Sequence, residues 1–273
     1  MLASRLITGL LLAAAFVAAL IWLPVTALIL VIGGVILVGA WEWGALSGFA
    51  GARRAGYVLA VAALMFACHR SWPQVVLPLL GVAGLWWLAM LYWVLTYPRS
   101  ASCWGGALTP VMGALALVPA WTAAYWLLVQ ERGALWLGVA VMLVASSDVG
   151  AYFGGRAWGR RHLAPRVSPG KTWEGVASGL VLALVLGLVL ARPLALDDHW
   201  PLWLLVVFVG IAAGVVGDLG ESMAKRHHGV KDSGTLLPGH GGVLDRIDSL
   251  SAALPALALG LWVFGLTSAS AGS

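Results

Sequence analysis

Residues 200–266 read WPLWLLVVFVGIAAGVVG, then DLGE, then SMAKRHHGVKDSGTLLPGHGGVLDRID, then SLSAALPALALGLWVFGL. Two long apolar runs enclose a polar island, Ser222 to Asp248. A helix needs about 20 mostly apolar residues to cross the hydrocarbon core of a bilayer. Only helices and closed barrels satisfy their backbone in lipid, and runs that are continuous rather than alternating exclude a barrel. The island holds Asp232, Asp245 and Asp248, the bases Lys225, Arg226, Lys231 and Arg246, three histidines and a Gly-Gly step. Segments of this kind bind phosphates and metal ions, and a passive membrane anchor has no use for one.

Composition extends this reading to the whole chain. Hydrophobic residues make up 61% of it and charged residues 10%, against roughly 25% charged in a soluble domain. Nine spans are expected, at about 6–23, 25–41, 55–68, 74–96, 107–129, 134–154, 174–191, 200–217 and 245–266. The expected fold is an all-α, polytopic membrane bundle forming one domain over 1–273. Residues 1–133 hold the N-terminal spans, and 134–273 hold the spans and loops that carry the site. Arg5 and the run Leu6–Leu23 look like a signal peptide, but the run is long for one and continues past Pro24, so it is read as an uncleaved first span. With the N-terminus inside, thirteen of the sixteen basic residues fall on the cytoplasmic side, leaving Arg70, Arg132 and Arg192 outside. That is the positive-inside bias.

The net charge of +5 therefore reports topology and attraction to anionic headgroups, and nucleic acid is not an expected partner. Cys68 and Cys103 form neither a metal spacing nor a disulfide framework. Most of the 16 tryptophans, among them Trp22, Trp41, Trp43, Trp72, Trp121, Trp200 and Trp262, fall near span ends and read as an interfacial belt. Glu42, between two of them, could be functional, and an acid at headgroup level is the simpler account.

By this span count three polar segments emerge on one face. The first is Ser146 to Tyr152, at the end of the sixth span. The second is the loop Gly154 to Glu174, and the third is the island with Gly217-Asp218-Leu219-Gly220-Glu221 before it. Asp148 and Asp218 sit at the ends of apolar helices, where an ionised carboxylate is costly unless paired or metal-bound. Asp245 and Asp248 open the last span three residues apart, about 60° apart on one helix face. A helix dipole favours an acid there. Two inward acids beside His240-Gly241-Gly242 suit a hard cation such as Mg2+, which takes one or two carboxylates plus substrate phosphate oxygens. Lys225, Arg226 and Lys231 would neutralise phosphate, and Arg246 could grip one bidentately. The histidines lack the Cys/His spacing of a zinc site. Ser168-Pro169-Gly170-Lys171-Thr172 looks like the tail of a P-loop, yet Pro165 stands where a glycine is required and no strand precedes it. A Gly-Lys-Thr step opening the seventh span still offers N–H groups, a hydroxyl and a cation to a nucleotide phosphate.

Together these residues resemble the phosphatidate cytidylyltransferase (CDP-diacylglycerol synthase) family. The residues that carry the likeness are Ser222, Lys225-Arg226, Lys231-Asp232, Gly234, Leu237-Pro238, His240-Gly241-Gly242 and Asp245-Arg246-Ile247-Asp248, all at the family's spacing. Ser147-Asp148-x-Gly150-Ala151-Tyr152, Ser168 to Thr172, and Gly217-Asp218-Leu219-x-Glu221-Ser222 match as well. Ala224 departs from the larger apolar residue usual at that packing position. The match covers roughly the C-terminal half, and the earlier residues match only as apolar spans.

The resemblance implies that CTP and phosphatidic acid react to give CDP-diacylglycerol and pyrophosphate, with Mg2+ and room for a second cation bridging the phosphates. It implies a metal centre on Asp218, Asp245 and Asp248, with Lys225, Arg226 and Arg246 acting on phosphates. Ser168, Lys171 and Thr172 would hold CTP, and Asp148, Ser222, Lys231, Asp232, His240, Gly241 and Gly242 would also touch substrate. It further implies a homodimer in a bacterial cytoplasmic (inner) membrane, its site facing the cytoplasm and its lipid substrate arriving sideways among the membrane lipids. Two rivals fit less well. A secondary transporter needs acids near the bilayer midplane and often repeated halves, whereas these acids cluster at one face and no repeat is seen. A CDP-alcohol phosphotransferase spaces helical acids at i and i+4 after Asp-Gly and Ala-Arg pairs; here the spacing is i and i+3, and those pairs are absent.

Overall fold

The expected apolar runs each become a helix, since in lipid a helix alone closes every backbone hydrogen bond within one segment. The computed structural model describes residues 2–100, 108–236 and 241–269; Cys103, Leu237, Pro238 and His240 lie outside them. In chain order the long helices are α1 (Leu2–Trp22), α2 (Val25–Leu46), α3 (Gly51–Arg70), α4 (Val76–Thr96), α5 (Leu108–Leu128), α6 (Gly133–Trp158), α7 (Trp173–Ala191), α8 (Trp200–His227) and α9 (Leu244–Val263), followed by a short α10 (Leu266–Ala269). Among the described residues, α2 to α9 are eight helices long and apolar enough to cross a membrane, while the apolar stretch Thr8–Trp22 of α1 is shorter. The chain is an integral membrane protein of nearly all-α architecture.

Three departures from the expected elements shape the site. Helix α2 runs five residues beyond the expected end at 41, so Glu42 lies within a helix. Helix α8 continues ten residues beyond 217, so the first part of the island is helical rather than looped. Between α6 and α7 the chain forms an antiparallel hairpin, β1 (His162–Ala164) with β2 (Ser168–Thr172). The Gly-Lys-Thr step is therefore the end of a strand leading into α7.

Helix α5 is the axis of the bundle and packs against α2, α3, α4, α6 and α9. The two tightest pairs are α6 with α7 and α8 with α9, and small residues make both possible, as expected where close backbone packing drives association in lipid. On α8, a Cβ at Gly210 would strike the Leu257 side chain, and one at Gly217 would lie 2.5 Å from the Asp248 carbonyl. On α6, a Cβ at Gly150 would lie 2.9 Å from both Gly179 Cα and Ser178 O of α7. Large apolar side chains such as Leu30, Leu59, Leu85 and Val189 cover the outer faces, where the surrounding solvent is hydrocarbon.

Two expectations fail. Trp22, Trp41, Trp200 and Trp262 are exposed as a belt requires, but Trp43 and Trp121 are buried. The Trp43 ring is seated over Gly113 of α5, and its indole N–H donates to Thr109 O at 2.8 Å. Glu42 is 3% exposed and is no headgroup-level acid, because its side chain enters the bundle while that of Trp41 leaves it.

Replacing Gly150 with leucine should force α6 and α7 apart and lower stability by about 1–3 kcal/mol, the usual cost of overpacking. Thermal unfolding in detergent would read this as a lowered midpoint.

Candidate active site

The hairpin is held at both ends. Thr172 caps α7 by accepting the Gly175 N–H on its hydroxyl at 3.1 Å, as β-hydroxyl residues do at helix starts. The Glu174 carboxylate accepts the N–H groups of Arg160 and Arg161 at 3.1 and 3.2 Å. From α8, Arg226 donates to the carbonyls of Val167 and Val230 at 3.3 and 3.1 Å, tying the hairpin to the start of the α8–α9 loop. So held, Lys171 reaches Asp218 on α8, with Nζ 2.5 Å from Oδ2. The Ser222 hydroxyl, one turn on, donates to the other Asp218 oxygen at 3.3 Å.

Around this ion pair lies a cavity of about 310 Å3. Its polar wall is Asp148, Tyr152, Gly170, Lys171, Thr172 and Asp218, and its floor includes Val176, Ile211 and Val215. Those three floor residues also line a larger apolar groove of about 580 Å3, walled by α4, α7, α8 and the hairpin, with Arg166 among its lining residues. Polar cavity and apolar groove are neighbours across one rim.

A second polar group lies at the foot of α9. The Lys225 ammonium sits 2.6 Å from Asp245 Oδ1 and 3.3 Å from Glu221 Oε1, with all three side chains at least nine-tenths buried. The remaining Asp245 oxygen accepts three hydrogen bonds, from Gly242 N at 2.8 Å and from Ser233 N and Oγ at 3.0 Å. Gly241 has a left-handed φ of +83°, and a Cβ there would lie 2.7 Å from the same oxygen, so only glycine lets the chain wrap Asp245 this closely. The loop end is closed by Glu42 of α2, whose carboxylate accepts Val243 N at 3.0 Å, Leu244 N at 2.7 Å and Ser233 Oγ at 3.1 Å.

The expected site residues thus divide. Asp148, Lys171, Thr172 and Asp218 line the cavity. Asp248 feels the charges of Asp218 and Lys225, and Arg246 acts electrostatically on Asp148, so both belong to the same field. Ser168 starts the strand that delivers Lys171. Gly241 and Gly242 surround Asp245, with the Gly242 N–H already given to it. Lys231 and Asp232 are exposed on the α8–α9 loop and are not cavity-lining residues. His240 lies outside the described residues. Ala224, where the sequence departs from the family pattern, is fully buried, as a packing position should be. Glu42, Glu221 and Ser233 were not foreseen as site residues. The available signal for Glu42 was an isolated acid inside an apolar run, which by default marks function.

Among the described residues, no three His, Cys, Asp or Glu side chains form a ready-made metal-binding group. Asp218 and Asp148 share the cavity wall, and Asp248 is close enough to Asp218 to repel it. These are hard oxygen donors with no thiolate or imidazole beside them in the wall. They fit a hard divalent cation held by one or two carboxylates, with phosphate oxygens completing its shell. Asp245 differs in being more deeply buried than Asp218 and in having four donors on its two oxygens, Lys225 on one and Gly242 N, Ser233 N and Ser233 Oγ on the other.

Breaking a buried ion pair by removing one partner costs about 3–5 kcal/mol. Lys225→Met leaves Asp245 and Glu221 facing each other in the bundle, and its free energy of unfolding in detergent should fall by an amount in that range, seen as a lowered midpoint.

Residues 3–264 match the cytidylyltransferase family. The chain is 46% identical to the phosphatidate cytidylyltransferase of Pseudomonas aeruginosa over 97% of its own length and 98% of that protein. It is 37% identical to the phosphatidate cytidylyltransferase of Haemophilus influenzae, over 93% and 96% of the two chains. To the enzyme of that name from Bacillus subtilis it is 44% identical over 47% and 48%. With the match running through nearly all nine long helices and every polar group described above, the chain belongs to the cytidylyltransferase family.

Proposed function

We propose that this protein transfers the cytidylyl group of CTP to phosphatidic acid, giving CDP-diacylglycerol and pyrophosphate. One observation carries this reading: a cavity walled by Lys171, Asp218 and Asp148 adjoins an apolar groove across Val176, Ile211 and Val215. Such a pairing suits a substrate with a charged head and a hydrocarbon tail. The acyl chains would lie in the groove, reached sideways from the bilayer, and CTP would arrive from the cytoplasm.

In the reaction an oxygen of the lipid phosphate attacks the α-phosphorus of CTP. The bond from that phosphorus to the bridging oxygen of the β-phosphate breaks, and pyrophosphate leaves with the electron pair. The nucleophile is already anionic, so positioning and charge neutralisation carry the rate rather than a strong base. Lys171, delivered by the clamped hairpin, meets the CTP phosphates and exchanges its contact with Asp218 for theirs. Gly170 and Thr172, on either side of it at the end of the strand, line the same cavity. Arg246, which acts electrostatically on Asp148, would neutralise charge that gathers on the transferring phosphoryl group. Lys225 keeps the foot of α9 fixed, and Arg226 keeps the hairpin in place. Asp218 and Asp248, with Asp148 nearby, would hold Mg2+, which when bound offsets the repulsion between the two anionic substrates. The proposal includes the finer assignments that go with the resemblance: a homodimer in a bacterial cytoplasmic membrane, its site on the cytoplasmic side.

Purified protein in detergent, given labelled CTP, phosphatidic acid and Mg2+, should form a labelled lipid and release pyrophosphate; formation of neither product sinks the reading. Asp218→Asn should abolish turnover while the protein remains folded and extractable. Lys171→Ala should raise the CTP concentration needed for half-maximal rate by roughly tenfold or more, the worth of one charge-assisted phosphate contact. An unchanged CTP dependence removes Lys171 from the site.

A further inference from the structure

We infer that Glu42, on the second helix and some two hundred residues away in sequence, is a positioning residue for catalysis: it fixes the start of α9 and with it Asp245, Arg246 and Asp248. The inference rests on the proposed cytidylyl transfer at this site. The first N–H groups of any helix have no intrahelical acceptor and need one from elsewhere. Helix α9 has no capping side chain of its own, since its N-cap is Val243. Glu42 supplies the acceptors, taking Val243 N at 3.0 Å and Leu244 N at 2.7 Å on its two oxygens. A carboxylate at this end also meets the positive pole of the helix, which explains how a charge 3% exposed is tolerated.

The same carboxylate is linked to the reacting end of the helix by one side chain. Ser233 Oγ lies 3.1 Å from Glu42 Oε2 and 3.0 Å from Asp245 Oδ2, so its single proton serves the two acids in turn. The loop is shaped around this link. A Cβ at Gly234 would meet the Glu42 carboxylate and nothing else closer, and one at Gly242 would lie 2.5 Å from Glu42 Oε2. Glycine at both positions leaves room for the acid. The hairpin that presents Lys171 is fastened by Thr172, Glu174 and Arg226, none of which touches Glu42. Disturbing Glu42 should therefore displace the α9 groups and leave the hairpin's grip on CTP intact.

The test is a comparison of full-length wild type, Glu42→Gln and Gly234→Ala, purified in detergent, for thermal midpoint, kcat and KM for CTP at saturating phosphatidic acid and Mg2+. Glutamine keeps the shape but turns an N–H2 toward N–H donors, and the Gly234→Ala methyl pushes the native carboxylate aside. Both should elute as folded protein with kcat reduced roughly 10- to 100-fold, as for displacements near 1 Å, and with KM for CTP near the wild-type value. A folded Glu42→Gln with wild-type kcat overturns the inference. So does a fall in kcat no larger than the loss of folded protein, or one matched by an equal rise in KM. If Glu42→Gln yields no folded protein, Gly234→Ala decides, and wild-type kcat in that variant refutes the role. Inactive wild type would instead sink the reading of the site itself, so the two failures are distinguishable.

Discussion

The ammonium of Lys225, 2.6 Å from Asp245 and 3.3 Å from Glu221, joins α8 to the first turn of α9 inside the bundle. Desolvating a charge is unfavourable by several kcal/mol per ion unless it is met by a partner. Asp245 is met most completely, with Lys225 on one oxygen and three N–H or O–H donors on the other. Ser233 and Gly242, from the two ends of the α8–α9 loop, supply those donors. Moving either of them away would strand a buried carboxylate. The ion pair between Lys171 and Asp218 is of another kind. It is about one quarter exposed and lies in the cavity wall, where a phosphate could compete for the lysine.

Small residues set how near these groups come. Gly217 lets α8 rest against the Asp248 carbonyl, and Gly150 with Gly179 does the same for α6 and α7. The acids of three different helices, Asp148, Asp218 and Asp248, enter one electrostatic neighbourhood because nothing bulkier than hydrogen separates the backbones behind them. In lipid there is no hydrophobic drive between helices, so such packing contacts carry the association. The geometry of the site and the stability of the bundle thus depend on the same glycines.

Much of this was legible in the sequence, for reasons that also explain what was not. Apolar runs mark the thickness of the hydrocarbon, so the spans fell where expected and their polar ends came to one place. Hydropathy does not mark where a helix stops. It ended α2 before Glu42 and α8 before Asp218, although both helices continue past the apolar stretch. The spacing of Asp245 and Asp248 was readable because both lie on one helix. The partner of Glu42 was not, since it lies across the fold and its contacts are backbone N–H groups that any residue could provide. Trp43 and Trp121 misled in the same way: position along the chain placed them near helix ends, but only the packing of α2 on α5 decides which way an indole points.

The residues Val176, Ile211 and Val215 face the polar cavity on one side and the apolar groove on the other. A reaction run across that rim works at the boundary between two immiscible phases. One product, pyrophosphate, is free to leave into water, and the other is held in the bilayer by its acyl chains. One leaves by diffusion in three dimensions and the other by diffusion in the plane of the membrane, so the two separate along different paths from the rim. Three aliphatic side chains that take no part in bond making would in this way mark where the products part.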